Sequence, residues 1–224
     1  MTITYLQKKF VAPALSTPPV EYDFRREDQL IYQLRLYFNL LDNFLASLAT
    51  TAGGANLAFP HIAASDTTDQ YAGGDNTPTL VAWNQGESIN GFTLAAGAAT
   101  AEYSGIYKIT YSLQLVNTDN VAHDVSVWLK VNGTNVDRSA TIFTVPARKS
   151  AGVYSYVCGY SEAVFTVEAG DDIELYWATD KAYSTTGPVD GVYIEYIAAQ
   201  SSPYSRPAIP SAIGSITFVS AITT

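Results

Sequence analysis

Histidine is the side chain best suited to acid–base chemistry near neutral pH, and this chain has two. His61 and His123 lie far apart and lack the His-Glu-x-x-His spacing of a zinc site. His123 precedes Asp124, which we interpret as a loop hydrogen bond rather than a general base. The sequence has no Gly-x-Ser-x-Gly elbow and no phosphate-binding loop. It therefore predicts a protein that is not an enzyme, with no catalytic residue and no cofactor.

Acidic side chains cluster in two predicted loops, where carboxylates can hold Ca²⁺. Asp66, Asp69 and Asp75 lie in one loop, and Asp171 and Asp172 lie in another. Calcium needs about six converging oxygens, and neither loop has the spacing of a calcium-binding loop. We therefore predict solvated turn acids and no metal site.

The single cysteine, Cys158, lies between Val157 and Gly159 in a run typical of a strand. One cysteine excludes an intrachain disulfide. Because its neighbours are small or apolar, we predict a packed thiol rather than a nucleophile.

Composition and charge exclude several classes of partner. Hydrophobic residues make up 47% of the 224-residue chain, charged residues 15%, and the formal net charge is −9. An acidic chain lacks the basic surface that non-specific binding to nucleic acid or to an anionic membrane requires. The N-terminus has no signal peptide pattern, and no run is long enough to span a bilayer. We expect a protein that is made in a cytoplasm and is either kept there or assembled there into something larger, without membrane insertion.

The N-terminal 48 residues are predicted to serve attachment. Residues 1–22 contain Pro13, Pro18 and Pro19 and predict an extended anchoring arm that lies on another surface; a floppy terminus is the alternative. Residues 23–49 predict a helix that begins after Asp23 as its N-cap. Its apolar residues are spaced four and three apart, which predicts a heptad seam that needs packing partners, formed by Leu30, Leu34, Tyr37, Leu41, Phe44 and Leu48.

A second apolar row, formed by Ile31, Phe38 and Leu45, lies beside this seam. One helix cannot shield both rows from water by itself. A three-helix bundle, or a helix wedged onto a larger body, would supply the partners. A single amphipathic helix folded back on its own domain is the third possibility.

The remainder of the sequence predicts short strands separated by turns. Residues 50–56 contain Gly53-Gly54 and predict a linker before a domain at 57–199. Apolar and polar residues alternate from Tyr107 to Leu115, which predicts a central strand with one packed face. Asn132-Gly133 predicts a hairpin turn. About ten strands without a helical pattern predict a mainly β fold: an antiparallel jelly-roll sandwich, preceded by an extended arm and one long α-helix.

Residues 200–224 predict a proline-rich connection followed by a C-terminal strand. An isolated strand there would leave unpaired edges. It must therefore pair with another strand, either in its own chain or in a neighbouring subunit.

Several segments resemble the tumour necrosis factor/complement globular-head superfamily. The segments are AEYSGIYKITYSLQL (residues 101–115), HDVSVWLKVNGTNV (123–136), VEAGDDIELYW (167–177) and GVYIEYI (191–197). The resemblance covers about residues 59–199. It implies a jelly-roll protomer that assembles as a homotrimer about a threefold axis.

A variant of this pattern in bacteriophage virion proteins is more similar still. Three segments of this chain together resemble those proteins. They are the helix RREDQLIYQLRLYFNLLDNF (residues 25–44), the strand NGFTL (90–94) and the final segment PSAIGSITFV (210–219). This resemblance implies a virion protein anchored to other capsid or tail proteins through residues 1–48, acting as capsid decoration (cement) or a short fibre. The alternative is a tail-fibre or spike protein that binds a host surface glycan through its distal loops.

Tyrosine, with 16 residues, is unusually abundant for a chain with so few charges. Exposed tyrosines can stack on a glycan or form a contact between subunits. We expect Tyr183 to be one of the exposed tyrosines. In a threefold assembly the second interpretation is favoured, because aromatic residues are enriched at interface cores. We therefore predict a possible trimer seam of Tyr154, Tyr156, Tyr160 and Tyr193.

Overall fold

The structure is a computed structural model that describes residue 21 and residues 23–48, 59–187 and 189–222. The predicted arm (1–22, apart from Glu21) and the predicted linker (50–56) lie outside the described residues. The chain divides into two compact units, Met1–Ala58 and Phe59–Thr224.

The helix of the first unit, α1, runs over Phe24–Leu48, as the spacing of its apolar residues predicts. Asp23 is its N-cap: the Arg25 backbone N–H donates to Asp23 Oδ1 at 3.0 Å, which satisfies one of the free amides of the first turn. Among the described residues, no helix is long and apolar enough to cross a membrane.

The second unit consists of two antiparallel sheets, so the predicted mainly β sandwich is confirmed. Its strands are β1 (His61–Asp66), β2 (Thr79–Leu80), β3 (Gln85–Asn90), β4 (Phe92–Ala95), β5 (Ala98–Ala101), β6 (Gly105–Asn117), β7 (His123–Val131), β8 (Thr134–Asn135), β9 (Thr141–Val145), β10 (Ser155–Val167), β11 (Asp172–Thr179), β12 (Val192–Ile194) and β13 (Ala212–Ser220).

The first sheet has the order β10-β6-β13-β1-β3, and β12 pairs with the end of β6. The second sheet has the order β4-β5-β11-β7-β8, with β2 on β11 and β9 on β7. β6 is an interior strand of the first sheet, between β10 and β13, and one of its faces is packed, as the alternation of its residues predicts. Its inward residues are all buried: Tyr107, Ile109, Tyr111, Leu113 and Leu115.

The core between the sheets is completed by the inward residues of β7 and β11, which pair along their length. These residues are at most 2% exposed: Val125, Val127, Leu129, Ile173, Leu175 and Trp177. Asn132 and Gly133 have φ angles of 50° and 74°, as a type I′ hairpin turn requires, and join β7 to β8. The predicted hairpin is thereby confirmed.

Two strands differ from the sequence prediction. The predicted C-terminal strand is β13, and it pairs with β6 on one side and β1 on the other, within its own chain. The sandwich therefore extends to Ser220, beyond the predicted domain end at 199. β3 was not predicted, because it is a largely polar edge strand whose residues are exposed from Gln85 to Ile89.

Candidate assembly surfaces

The outward side of the first sheet is apolar to a degree that a solvated sheet face is not. Five large apolar side chains lie on it and are 48–60% exposed. They come from alternate positions of two strands separated by β6: Tyr156, Tyr160 and Val164 on β10, and Ile213 and Val219 on β13. We call these five residues the first-sheet face.

The second sheet does not share this property. Among its strands, the exposed large apolar residue is Ile142 on β9. Trp128 and Tyr176 also point outward, but they stack on each other with centroids 6.1 Å apart and are half-buried. Lys130 Nζ lies 4.0 Å from the centroid of the Tyr176 ring and covers it further. The two outward surfaces of the sandwich therefore differ in hydrophobicity.

Two pairs of polar side chains lie on the outward side of the first sheet, among the residues of the first-sheet face. Thr110 and Ser215 share a hydrogen bond of 2.7 Å between their hydroxyls. Lys108 Nζ lies 2.6 Å from Glu162 Oε2, and this hydrogen bond lowers the pKa of the Glu162 carboxyl. Because these four groups contact one another, burial of this surface would leave none of the four without a polar partner.

A groove of about 120 Å³ crosses the first-sheet face. Tyr160 and Ile213 form its sides, and Ser112, on the strand between them, lies at its floor. A side chain from another molecule would have apolar contacts on both sides of this groove.

The four tyrosines of the predicted trimer seam differ in their exposure to solvent. Tyr156 and Tyr160 are 52% and 57% exposed on the first-sheet face, whereas Tyr154 is half-buried. Tyr193 is only 8% exposed, so its expected exposure was wrong. Its ring packs against those of Tyr71 and Tyr183, with centroids 5.3 and 5.0 Å away.

The Tyr193 hydroxyl donates to Glu195 Oε1 at 2.9 Å. Burial, followed by the nearby Glu195 carboxylate, raises the pKa of Tyr193. This tyrosine therefore stabilises the interior of its own subunit, and the same packing leaves Tyr183 half-buried.

Cys158 is exposed, so the prediction of a packed thiol was wrong. It is paired with Gln114 across β6 and β10, at an outward position between Tyr156 and Tyr160. Small, apolar neighbours in sequence indicated a strand, but they could not indicate which side of that strand faced the core.

The helix presents the second apolar surface. Four predicted seam residues are half-buried, Leu34, Tyr37, Leu41 and Phe44, while Leu30 is 39% exposed. The Leu48 side chain lies outside the described residues. The adjacent row is more exposed, with Ile31, Phe38 and Leu45 at 43–54%. Whether this seam joins three copies stays a prediction.

The histidine and acidic residues form hydrogen-bonded connections between loops. His123 Nε2 lies 3.0 Å from Asp119 Oδ2, and this hydrogen bond lowers the pKa of Asp119. His123 Nδ1 is 3.2 Å from Asp180 Oδ1 without the geometry of a hydrogen bond. The predicted partner, Asp124, instead accepts a hydrogen bond of 2.6 Å from the Thr144 hydroxyl.

We predict solvated acids in the loops, but at least one of these acids is buried. Asp66 is 1% exposed, and its Oδ1 accepts hydrogen bonds from the amide and the hydroxyl of Thr68. Asp75 Oδ1 accepts from the Ala182 backbone amide at 2.9 Å, which lowers the pKa of Asp75. Within the described ranges, no three His, Cys, Asp or Glu side chains come together as a metal site would require.

Comparison with known proteins gives only structural likenesses. No family model and no curated protein matches the chain. The globular domain of zebrafish complement 1qA protein matches at 12% identity and a TM-score of 0.42, over 73% of this chain and 99% of that one. Eiger TNF from S. frugiperda matches at 14% identity and a TM-score of 0.44, over 75% of this chain and 97% of that one. Murine APRIL matches at 15% identity and a TM-score of 0.40, over 71% of this chain and 99% of that one.

The fold is an antiparallel jelly roll. The order and antiparallel pairing of the two sheets described above establish it. Nothing in these comparisons bears on the bacteriophage resemblance, which stays a prediction.

Three residues of the first-sheet face were missed by the sequence analysis: Val164, Ile213 and Val219. The alternation within the final segment does separate Ile213 from the buried Ala212. It could not identify a surface, because the position of that segment in a sheet was unknown.

Proposed function

We propose that this protein is a non-enzymatic structural component of a bacteriophage virion, a homotrimeric jelly-roll projection attached to the particle through residues 1–48. It would act as capsid decoration or as a short fibre. The first-sheet face is the observation that carries the assembly part of this proposal. The sequence resemblance supports the virion part.

The asymmetry between the two sheets supports the assembly of this protein. The first-sheet face exposes five large apolar side chains, whereas the strands of the second sheet expose Ile142. Several large apolar side chains exposed on one side of a sheet are typical of an interaction site. A closed ring of identical subunits covers such a surface without leaving an open end for further growth.

Attachment through residues 1–48 gains from trimer formation. Three arms and three helices bound to one particle add their binding free energies, because each later contact becomes effectively intramolecular. An extended arm that becomes ordered on contact loses affinity per residue, yet it can cover a large surface. The jelly roll would then project outward.

Cys158 provides a direct test of assembly, because it is exposed between Tyr156 and Tyr160 of the first-sheet face. Light scattering of the full chain should give three times the 24.2 kDa protomer mass. The Cys158 thiol should react slowly with maleimide in the assembled protein and rapidly after dilution. A Cys158→Ser/Ile142→Cys variant is the control, and its thiol should react rapidly in both conditions. A protomer mass at high concentration would refute the trimer. Equally fast labelling of Cys158 in both conditions would refute the first-sheet face as the contact between subunits.

Particle attachment needs a separate test. The full chain should co-sediment with virus particles from the same source, and a variant lacking residues 1–48 should remain in the supernatant. Equal co-sedimentation of both would contradict attachment through this segment. Glycan-array binding by a chain of residues 57–224, without particle attachment by the full chain, would support the host-glycan alternative.

A further inference from the structure

The side chains of α1 fall into rows that the heptad repeat describes. In heptad notation, Leu34, Leu41 and Leu48 occupy position a, and Leu30, Tyr37 and Phe44 occupy position d. Position e, directly beside d, carries large apolar residues in four successive heptads: Phe24, Ile31, Phe38 and Leu45. All four are 43–69% exposed.

Position e is usually charged in a two-stranded coiled coil, because it flanks a narrow a/d seam and remains in water. In α1 no charged residue occupies it. The charged residues from Arg25 onward lie elsewhere, mostly at b and f: Arg25, Asp28, Arg35 and Asp42, with Arg26 and Glu27 in the first turn. An apolar stripe that combines a, d and e is the pattern of a helix packed in a bundle, where each helix has two neighbours.

We propose that α1 forms a parallel three-helix bundle in which the e row of each copy packs against the g row of the next. The inference rests on the proposed trimer, whose subunits would bring three N-terminal helices together in the same direction. In such a bundle a g residue lies beside the e residue of the following heptad of its neighbour.

The g row of α1 is chemically suited to this contact. Leu40 at g is 47% exposed and would meet Leu45 of the next copy, giving an apolar pair. Gln33 at g would meet Phe38 of the next copy. The methylenes of Arg26, also at g, would extend over Ile31 of that copy. Ile31, Phe38 and Leu45 would each lose exposed surface to a second copy of the same chain.

The contact is directional, since e of one helix meets g of the next and not its own counterpart. Directional contacts between identical subunits close into a ring when the rotation permits. Three helices of 25 residues, each about 37 Å long, would therefore close around a common axis with the a and d side chains inside.

Disulfide trapping in the full chain tests this arrangement. The variant Gln33→Cys/Phe38→Cys, in a Cys158→Ser background, should form covalent trimers on mild oxidation, seen on a non-reducing gel. The matched control is Leu36→Cys/Asn43→Cys, which places both thiols at position c; it should remain a monomer on the same gel.

A second measurement does not depend on disulfide formation. Ile31→Gln/Phe38→Gln should speed tryptic cleavage at Arg35 at least tenfold, because the helices separate. Tyr32→Gln/Leu36→Gln changes two residues that are 67% and 53% exposed at f and c, and should leave the cleavage rate within twofold. Glutamine retains helix propensity in both variants.

The outcomes separate the two proposals. A trimeric mass without covalent trimers, or with equal cleavage rates for the two glutamine variants, would overturn the helix arrangement alone. Covalent dimers as the largest product would overturn a three-membered ring of helices. A monomeric mass for the unmodified chain would overturn this inference together with the proposed trimer.

Discussion

Replacement of Ile213 by threonine should weaken the trimer strongly. Ile213 is 48% exposed at the side of the groove on the first-sheet face, and threonine keeps the β-branched shape that suits a strand. Full burial of an isoleucine side chain stabilises by about 1.5–3 kcal/mol, so the half that remains exposed offers about 1 kcal/mol to an interface. Desolvation of the new hydroxyl adds about 0.5 kcal/mol or more to the loss.

Three equivalent contacts in a ring multiply this loss to about 4–5 kcal/mol per trimer, which corresponds to an increase of about a thousandfold in the overall dissociation constant. Sedimentation equilibrium of the full chain over a dilution series would measure it. The matched control is Ile142→Thr on the second sheet, where Ile142 is 66% exposed; its dissociation constant should change by less than about threefold.

Two results would refute this reasoning. If Ile213→Thr leaves the dissociation constant unchanged while its thermal unfolding is normal, the first-sheet face is not the subunit contact. If Ile142→Thr weakens the trimer as much as Ile213→Thr, the asymmetry between the sheets does not direct assembly.

Two further predictions concern the subunit itself. Gly191→Ala should lower the free energy of unfolding by about 2 kcal/mol or more in urea titrations, because the new Cβ would lie 2.6 Å from the Ala182 carbonyl carbon. Gly187→Ala, with no atom within 4 Å of its new Cβ, should change it by less than about 0.5 kcal/mol, and equal losses would contradict this account. Because the His123 hydrogen bond lowers the pKa of Asp119 in the folded protein, Asp119 stabilises the fold above its ordinary pKa of about 3.9, and this stabilisation is lost as the pH falls through the lowered value. Urea midpoints from pH 7 to pH 3 should therefore converge for the unmodified protein and Asp119→Asn, and a constant difference would show that Asp119 is not linked to pH in this way.

Local sequence patterns determined the elements of this protein. The alternation from Tyr107 to Leu115 needs only the two-residue period of a strand, and the buried face of β6 follows from it. Asn132-Gly133 adopts positive φ angles that few other residue pairs tolerate, so its hairpin follows from neighbouring residues alone. The spacing from Leu30 to Phe44 similarly reflects the helical repeat of α1. The proposed seam of this helix is a property of the same local pattern.

Tertiary structure alone decided which strands meet and which faces remain open. β13 lies between β6 and β1, which are distant in sequence, and no local pattern encodes that pairing. Its position placed Ile213 on the outward side of the first sheet, while the rings of Tyr71 and Tyr183 covered Tyr193. A period of two divides the residues of a strand into two faces without saying which face meets the core. Only the packing of distant strands supplies that choice, and the candidate assembly surface depends on it.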